Sequence, residues 1–131
     1  MADLTLEIAT PERLLFSDQV TEAEVPCRDG YIGILPGHAP LISELAPGVL
    51  RYVHGGNTVH LSVMGGFIEV LDDHVRVLAD SATRKEEIDL TQAQADLKRA
   101  QEIISTPSDI DPAQALEDSQ KAQALIDTAG R

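Results

Sequence analysis

The four histidines are the residues of this sequence best suited to bind a metal ion or to transfer protons near neutral pH. They are His38, His54, His60 and His74, and no two of them form the closely spaced pair with which one strand or helix presents two ligands. That spacing favours structural histidines, solvated or partly buried, over a metal centre. We therefore predict no metal ligand and no catalytic histidine.

The other reactive groups also lack a catalytic arrangement. Cys27 is the sole cysteine, so it cannot close a disulfide within the chain, and we expect it to be a small buried or edge residue in a reducing compartment. Asp72 and Asp73 are typical of a hairpin turn rather than of an acid–base pair. The sequence has no Gly-rich loop followed by Lys-Ser/Thr, no Gly-x-Ser-x-Gly and no His-Glu-x-x-His. The residues therefore show no catalytic constellation, and no cofactor is expected.

Composition and charge narrow the range of partners. The chain has 131 residues and a formal net charge of −12, from 10 basic and 22 acidic side chains. This acidity argues against nucleic acid and anionic lipid, because both require a basic surface. No apolar run approaches the roughly 20 residues that span a bilayer, so direct lipid insertion is not expected. The first residues resemble neither a secretory signal nor a transit peptide, and an intracellular protein is expected.

Residues 1–84 alternate between apolar and polar positions with the period of two that strands require. The clearest apolar alternations are Leu4, Leu6, Ile8; Val59, Leu61, Val63; and Val75, Val77, Ala79. The turn signals Pro47-Gly48, Gly55-Gly56-Asn57 and Asp72-Asp73 recur at the spacing of an antiparallel sandwich. Gly65-Gly66 within an apolar run indicates a bulge or a close backbone approach. Residues 1–84 are predicted to form an antiparallel β-sandwich.

Residues 85–131 change to a helical period and form the second predicted domain, a two-helix hairpin. Asp89 is placed as the N-terminal cap of the first helix. The apolar stripe of this helix is Leu90, Ala93, Leu97, Ala100 and Ile104. The second begins with Asp111 as cap and Pro112 as first helical residue. Its predicted apolar face is Ala115, Leu116, Ala122, Leu125, Ile126 and Ala129. The segment from Ser105 to Ile110 is the predicted turn. The fold class is therefore mainly β with an α appendage.

The hairpin is predicted to dock weakly, because about half of its apolar seam is alanine, which buries less surface than leucine. A weakly docked and separable element is a candidate switch. A permanently packed helical cap is the alternative, and the sequence leaves both open.

The segment from Asp29 to Ile42 does not read as an ordinary sandwich edge. It contains three glycines and two prolines, and it places Tyr31, Ile32 and Leu35 in what reads as a rigid loop, an arrangement that marks a protein contact. Three motifs are recognisable here: Gly33-Ile34-Leu35-Pro36-Gly37-His38-Ala39-Pro40-Leu41, Gly65-Gly66-Phe67-Ile68-Glu69-Val70 and Val75-Arg76-Val77-Leu78-Ala79-Asp80. Together with the closing Ala-rich hairpin, they closely resemble the epsilon subunit of the bacterial-type ATP synthase over nearly the whole chain.

The resemblance implies a β-sandwich of about ten strands followed by a two-helix hairpin. It implies a non-catalytic rotor subunit at the foot of the central stalk, which helps to couple proton flow to ATP synthesis. The implied partners are the gamma subunit, the ring of c subunits and, through the hairpin, the catalytic head. By analogy, the contact residues are Arg28, Tyr31, Ile32 and Leu35 toward the ring and His38 toward gamma. The implied location is peripheral, at the cytoplasmic face of a bacterial plasma membrane.

Two functions of the hairpin in this family are expected to be weak or absent here. Inhibition of ATP hydrolysis relies on basic helices that meet an acidic partner, whereas the second helix here offers only Lys121 among acids, with Arg131 at the end of the sequence. ATP binding in some relatives uses an Ile/Leu-Asp-x-x-Arg-Ala motif. This chain keeps Ile88, Asp89 and Ala93 but has Gln92 in place of the arginine, and Gln cannot reproduce a guanidinium fork on phosphate.

Two other classes of function remain as alternatives. A free-standing sandwich enzyme or metal protein would use the histidines, and metal analysis of the purified chain would reveal it. A free regulatory ligand sensor would open its hairpin with ligand and would form no stable complex with gamma.

Overall fold

A computed structural model describes residues 3–106 and 111–131, and in this part of the chain eight strands precede two α-helices. The strands are β1 (Leu4–Ala9), β2 (Leu14–Val20), β3 (Glu22–Cys27), β4 (Gly30–Ile34), β5 (Leu41–Glu44), β6 (Gly48–His54), β7 (Asn57–Leu71) and β8 (His74–Arg84). A 3₁₀ turn at Lys85–Glu87 leads into α1 (Leu90–Ser105) and α2 (Pro112–Ala129). The predicted class, mainly β with a two-helix appendage, is confirmed.

The strands form one sheet that folds onto itself in two layers. The first layer has the order β2-β1-β8-β7-β5, and the second has the order β8-β7-β6-β3-β4. The strands β7 and β8, of 15 and 11 residues, are long enough to run through both layers. Because β7 and β8 are each counted in both layers, the eight strands give five strand segments to each layer. The total of ten segments agrees with the expectation of about ten strands.

One pairing corrects the expectation of a wholly antiparallel sandwich. The strands β1 and β8 are parallel, with Thr5 beside His74 and Ala9 beside Leu78. Parallel neighbouring strands need a long connection between them, which is usually an α-helix. The sequence indicated no such helix before residue 85. Here the whole intervening sandwich is that connection, because β1 is the first strand and β8 the last.

Gly65 and Gly66 lie where β7 passes from one layer to the other. Their φ angles are +74° and +108°, in the region that favours glycine. A Cβ on Gly66 would collide with the carbonyl oxygen of Leu78 and lie 2.8 Å from the Cα of Ala79. The close backbone approach predicted for this pair is confirmed, and it is the place where the two long strands bend together.

The core between the layers is aliphatic, because only 3% of the residues are aromatic. Alternate residues of each strand point into it, so that Leu4, Leu6 and Ile8 of β1 are fully buried. The largest fully buried side chains are Leu4, Leu6, Ile8, Ile34, Leu50, Ile68, Val20, Val25, Val63, Val70, Val75 and Val77. Two aromatic rings close one end of the core, where Phe16 and Tyr52 have centroids 4.4 Å apart.

Both predicted helix caps are present. The Asp89 carboxylate accepts a hydrogen bond from the backbone N–H of Gln92 at 3.0 Å, and the Asp111 carboxylate accepts one from Ala113 at 2.9 Å. Ser105 is the last residue of α1, and the predicted turn after it falls largely on residues 107–110, outside the described residues. Neither helix of the described part is long and apolar enough to cross a membrane.

The helices bury only part of the predicted stripes, and α2 also buries two residues outside its predicted face, Ala124 and Thr128. In α1 only Ala93 and Ala100 are buried, while Leu90 and Ile104 are exposed. In α2 Leu116 is 52% exposed, and the residues buried are Ala115, Ala122, Ala124 and Thr128. The reason is that α2 packs on two sides, against α1 and against β6 and β7 of the second layer, whereas α1 packs chiefly against α2. Small residues let α2 approach both neighbours closely.

Candidate interaction surface

Arg28 and Tyr31 lie at one end of the edge strand β4. The first part of the segment that the sequence analysis interpreted as a rigid loop is in fact a strand, with β4 paired to β3 in a hairpin and only Arg28 and Asp29 forming the turn. Arg28 is highly exposed and forms an ion pair of 3.0 Å with Glu44 of β5. The Tyr31 side chain is 54% exposed, and its hydroxyl accepts a hydrogen bond of 3.0 Å from the backbone N–H of Val49. This end therefore presents one cation and one firmly held aromatic ring.

Leu35 and His38 lie at the opposite end of β4. The backbone N–H of His38 donates to the carbonyl of Leu35 at 3.1 Å, which closes a tight turn through Pro36 and Gly37. Leu35 is 59% exposed, and the His38 ring nitrogen Nδ1 lies 2.7 Å from the carbonyl oxygen of Ala39. Residues in a strand rise about 3.3 Å each, so β4 separates these two residues from Arg28 and Tyr31. The structure thus divides the predicted contact residues into two groups.

Ile32 differs from the other predicted contact residues. Its side chain is half-buried and packs against the core. Because β4 alternates, Ile32 and Ile34 face inward while Tyr31 faces outward. Less of Ile32 is therefore available to a partner than the sequence suggested.

The outer face of the first layer carries a set of exposed apolar side chains that the sequence analysis missed. Phe67 on β7 lies beside Leu78 on β8, Leu78 lies beside Ala9 on β1, and Ala9 lies beside Leu14 on β2. We call this set the apolar face and define it by Leu14, Ile42, Phe67, Leu71 and Leu78, which are 49–75% exposed. The sequence does carry a signal for this face: apolar residues occupy outward positions of strands whose inward positions are already apolar.

Charged residues interrupt the apolar face in one row. Arg76 of β8 lies between Glu7 of β1 and Glu69 of β7, and Ile42 follows Glu69 on β5. A groove of about 360 Å³ runs along β5 and β7 and is lined by Pro40, Leu41, Ile42 and Leu71, among others. The groove connects the apolar face with the segment that follows the turn ending at His38. An exposed apolar patch of this kind, flanked by charges, is typical of a surface that binds another protein.

The histidines lie in separate environments. His54 approaches the carbonyl oxygen of Gln19 at 2.9 Å, and His74 follows the turn after β7. Burial, together with the positive charges of Arg131, Lys85 and Arg51, lowers the pKa of His60. Among residues 3–106 and 111–131 no three His, Cys, Asp or Glu side chains converge as a metal site would require.

Cys27 is buried at the end of β3. Burial raises the pKa of its thiol, which reduces the fraction of reactive thiolate at neutral pH. The backbone of Cys27 also pairs with that of Leu45 in an isolated bridge between the layers, which supports a structural role.

The residues of the degenerate nucleotide motif have local partners. The Asp89 carboxylate caps α1, and the Gln92 side chain donates to the Asp96 carboxylate at 2.8 Å. Ala93 is buried within the hairpin and Ile88 is half-buried before it. The position where relatives carry an arginine therefore holds a neutral amide that already has an acidic partner.

The chain thus combines a sandwich, a two-helix appendage and an exposed apolar face, a combination typical of the class of subunits that bind other proteins. Residues 3–85 match the family model described as the beta-sandwich domain of the ATP synthase delta/epsilon chain. The chain belongs to this family.

Curated relatives in bacteria extend the similarity into the hairpin. The ATP synthase epsilon chain of Solibacter usitatus is 54% identical over 129 residues, which is 98% of this chain and 96% of the relative. The epsilon chain of Koribacter versatilis is 47% identical over 107 residues, or 81% of this chain and 75% of the relative. The resemblance inferred from the three sequence motifs is confirmed. These names also agree with a subunit that is not the catalytic one.

Solved structures of parts of ATP synthases contain chains with the same fold. A chain in the OSCP/F1/c-ring structure of the Euglena gracilis mitochondrial ATP synthase superposes with a TM-score of 0.85 at 25% identity, covering 95% of this chain and 80% of that one. A chain from the central stalk and c-ring of the Tetrahymena thermophila mitochondrial ATP synthase has a TM-score of 0.63 at 13% identity, covering 97% and 93%. The second likeness concerns the fold alone.

Proposed function

We propose that this chain is a non-catalytic rotor subunit in the central stalk of an ATP synthase. In this role it binds the gamma subunit and the c-ring, turns with them, and helps to couple proton flow through the ring to ATP synthesis in the catalytic head. The complex lies at the cytoplasmic face of a bacterial plasma membrane, and this subunit is peripheral, without lipid insertion. A close-packed sandwich suits the role, because a stiff body transmits torque with little deformation.

The observation that carries the proposal is the apolar face. Phe67 and Leu78, 59% and 50% exposed, are neighbours at its centre and are not covered by the hairpin, which packs on the second layer. Burial of such residues by a partner removes apolar surface from water, which favours association. We assign this face, with Leu35 and His38 at its edge, to the gamma subunit. Leu35 is thereby moved from the ring contact that the resemblance implied, because its carbonyl accepts the hydrogen bond that closes the turn carrying His38.

The other end of β4 is assigned to the c-ring. Arg28 and Tyr31 lie there, away from the turn that carries His38, so one subunit can contact two partners without competition between them. Tyr31 contributes through packing, because its hydroxyl is already engaged by Val49. Arg28 contributes a positive charge that is shared with Glu44.

The hairpin is proposed to inhibit ATP hydrolysis weakly or not at all. Lys121 is the cation of α2, and its ammonium forms an ion pair of 3.0 Å with Glu117 one turn earlier. The nearby acids Asp118 and Asp127 would repel an acidic partner segment. The hairpin here packs on the sandwich, with α2 against β6 and β7.

Binding to the gamma subunit tests the proposal. The full chain, co-expressed with gamma, should elute with it as a stable complex, and Phe67→Glu should weaken the affinity at least about tenfold because it places a charge in the contact. Leu116→Glu is the matched control, since Leu116 is similarly exposed but lies on the hairpin. The proposal is wrong if the folded wild-type chain does not bind gamma. If the two variants lost equal affinity for gamma, the apolar face would not be the gamma contact.

A further inference from the structure

We infer that Asp73 is a positioning residue that holds the Leu35–His38 turn in its binding conformation. The inference deepens the proposed function, because that turn lies at the edge of the surface assigned to gamma. The observation behind it is a hydrogen bond of 2.7 Å, in which the backbone N–H of Gly37 donates to the Asp73 carboxylate. The two residues are 36 positions apart and belong to different loops.

Asp73 occupies a backbone conformation that glycine would adopt more easily. Asp72 and Asp73 form the two-residue connection between β7 and β8, with φ angles of 50° and 61°. Positive φ at both central residues defines the tight turn that suits a hairpin, and glycine is commonly preferred at its second position. Aspartate and asparagine enter the left-handed region more readily than other non-glycine residues, because their short polar side chains can hydrogen-bond locally. Aspartate therefore fits this turn and, unlike glycine, also supplies a carboxylate.

The turn that receives this side chain has one free donor. Pro36 and Gly37 are its central residues, and Gly37 has a φ of +84°, the arrangement of a type II turn. The turn's own hydrogen bond uses the N–H of His38, so the N–H of Gly37 remains available. The Asp73 carboxylate takes it, and an ionised acceptor makes this bond stronger than a neutral one.

This bond is the side-chain link between the turn and the body of the protein. Within residues 3–106 and 111–131, no other side chain from outside residues 35–40 hydrogen-bonds to that segment. The backbone of Asp73 is itself fixed, because its carbonyl accepts from the N–H of Thr5 at 2.8 Å. Asp73 thus connects the turn displaying Leu35 and His38 to the first layer, which carries the apolar face. Preorganisation of this kind lowers the cost of ordering a loop on binding.

Substitutions within the β7–β8 turn separate anchoring from backbone strain. Asp73→Gly relieves the positive φ but removes the acceptor, while Asp73→Asn keeps a neutral acceptor and tolerates the conformation. Asp72→Gly is the matched control, because Asp72 shares the turn and the positive φ. Hydrogen exchange of the Gly37 amide in the full chain should quicken at least about tenfold in Asp73→Gly and stay within about threefold of wild type in the other two variants.

Affinity for gamma provides the second measurement. We expect Asp73→Gly to weaken it about three- to tenfold with no loss of thermal stability, and Asp73→Asn to restore most of it. An unchanged Gly37 exchange rate in Asp73→Gly would overturn the inference. Faster exchange with unchanged affinity would reject the positioning role. If wild type itself fails to bind gamma, the proposed function fails, while the exchange result still decides whether Asp73 holds the turn.

Discussion

Arg13 and Glu87 form a bidentate ion pair across 74 positions of sequence, with both guanidinium-to-carboxylate distances at 2.8 Å. Arg13 belongs to the connection between β1 and β2, whereas Glu87 ends the 3₁₀ turn that links the sandwich to the hairpin. The Glu87 carboxylate also accepts a hydrogen bond from the backbone N–H of Arg84 at 3.0 Å. These contacts attach the linker to the sandwich at Glu87, immediately before the residues that lead into α1.

The Arg13–Glu87 pair predicts a defined dependence of stability on pH. The hydrogen bond from Arg13, with that from Arg84, lowers the pKa of Glu87 from its usual 4.5 to about 2. A lowered folded-state pKa contributes stability above pH 4.5, and this contribution is lost as the pH falls toward 2. The gap in melting temperature between wild type and Glu87→Gln should therefore shrink across this window. Glu86→Gln is the control, and a gap that does not change with pH would contradict the prediction.

Gly66→Ala should be strongly destabilising. The added methyl group would collide with the backbone of Leu78 and Ala79, at a φ of +108° that alanine rarely adopts. We expect a loss of about 2 kcal/mol or more in the free energy of unfolding, measured by urea denaturation. Gly55→Ala is the control, because Gly55 also has a positive φ but nothing within 4 Å of the added group. It should cost about 1 kcal/mol. Similar losses in both variants would mean that the layer crossing tolerates a side chain.

Removal of the hairpin should change ATP hydrolysis by the complex only slightly. The truncation is best placed after Glu87, because this keeps the ion pair with Arg13 and leaves the sandwich intact. We expect less than about a twofold rise in hydrolysis, since the acids around Lys121 disfavour association with an acidic segment. A second truncation that removes residues 85–131 separates the hairpin from the linker. A several-fold rise in both truncated complexes would show that the hairpin inhibits.

The full chain should not bind ATP tightly. Gln92 supplies no positive charge and already donates to Asp96, so phosphate lacks the guanidinium that relatives use. Isothermal titration should give no micromolar affinity for ATP, with or without Mg²⁺. Gln92→Arg is the informative variant, because a gain of affinity would show that the rest of the motif is intact. Micromolar binding by wild type would refute the prediction.

Local patterns were sufficient for the elements of this fold. The period of two in residues 4–8 and 75–79 predicted strands whose inward residues are buried, and Asp89 and Asp111 predicted the helix starts. Asp72-Asp73 predicted a hairpin turn and is one. Each of these features depends on side chains within a few positions of one another, which is why a single sequence reveals them. The family could also be recognised from the sequence alone, because its motifs are continuous segments.

The tertiary structure alone decided which of these elements meet. The parallel pairing of β1 with β8, the Gly37–Asp73 hydrogen bond and the Arg13–Glu87 ion pair each join distant segments. It also decided which apolar residues stay uncovered: Phe67 and Leu78 are exposed because the hairpin packs on the other layer, and Leu116 is exposed because α2 turns its alanines inward. Periodicity specifies which side of a strand or helix is apolar, but which neighbour covers that side depends on long-range packing.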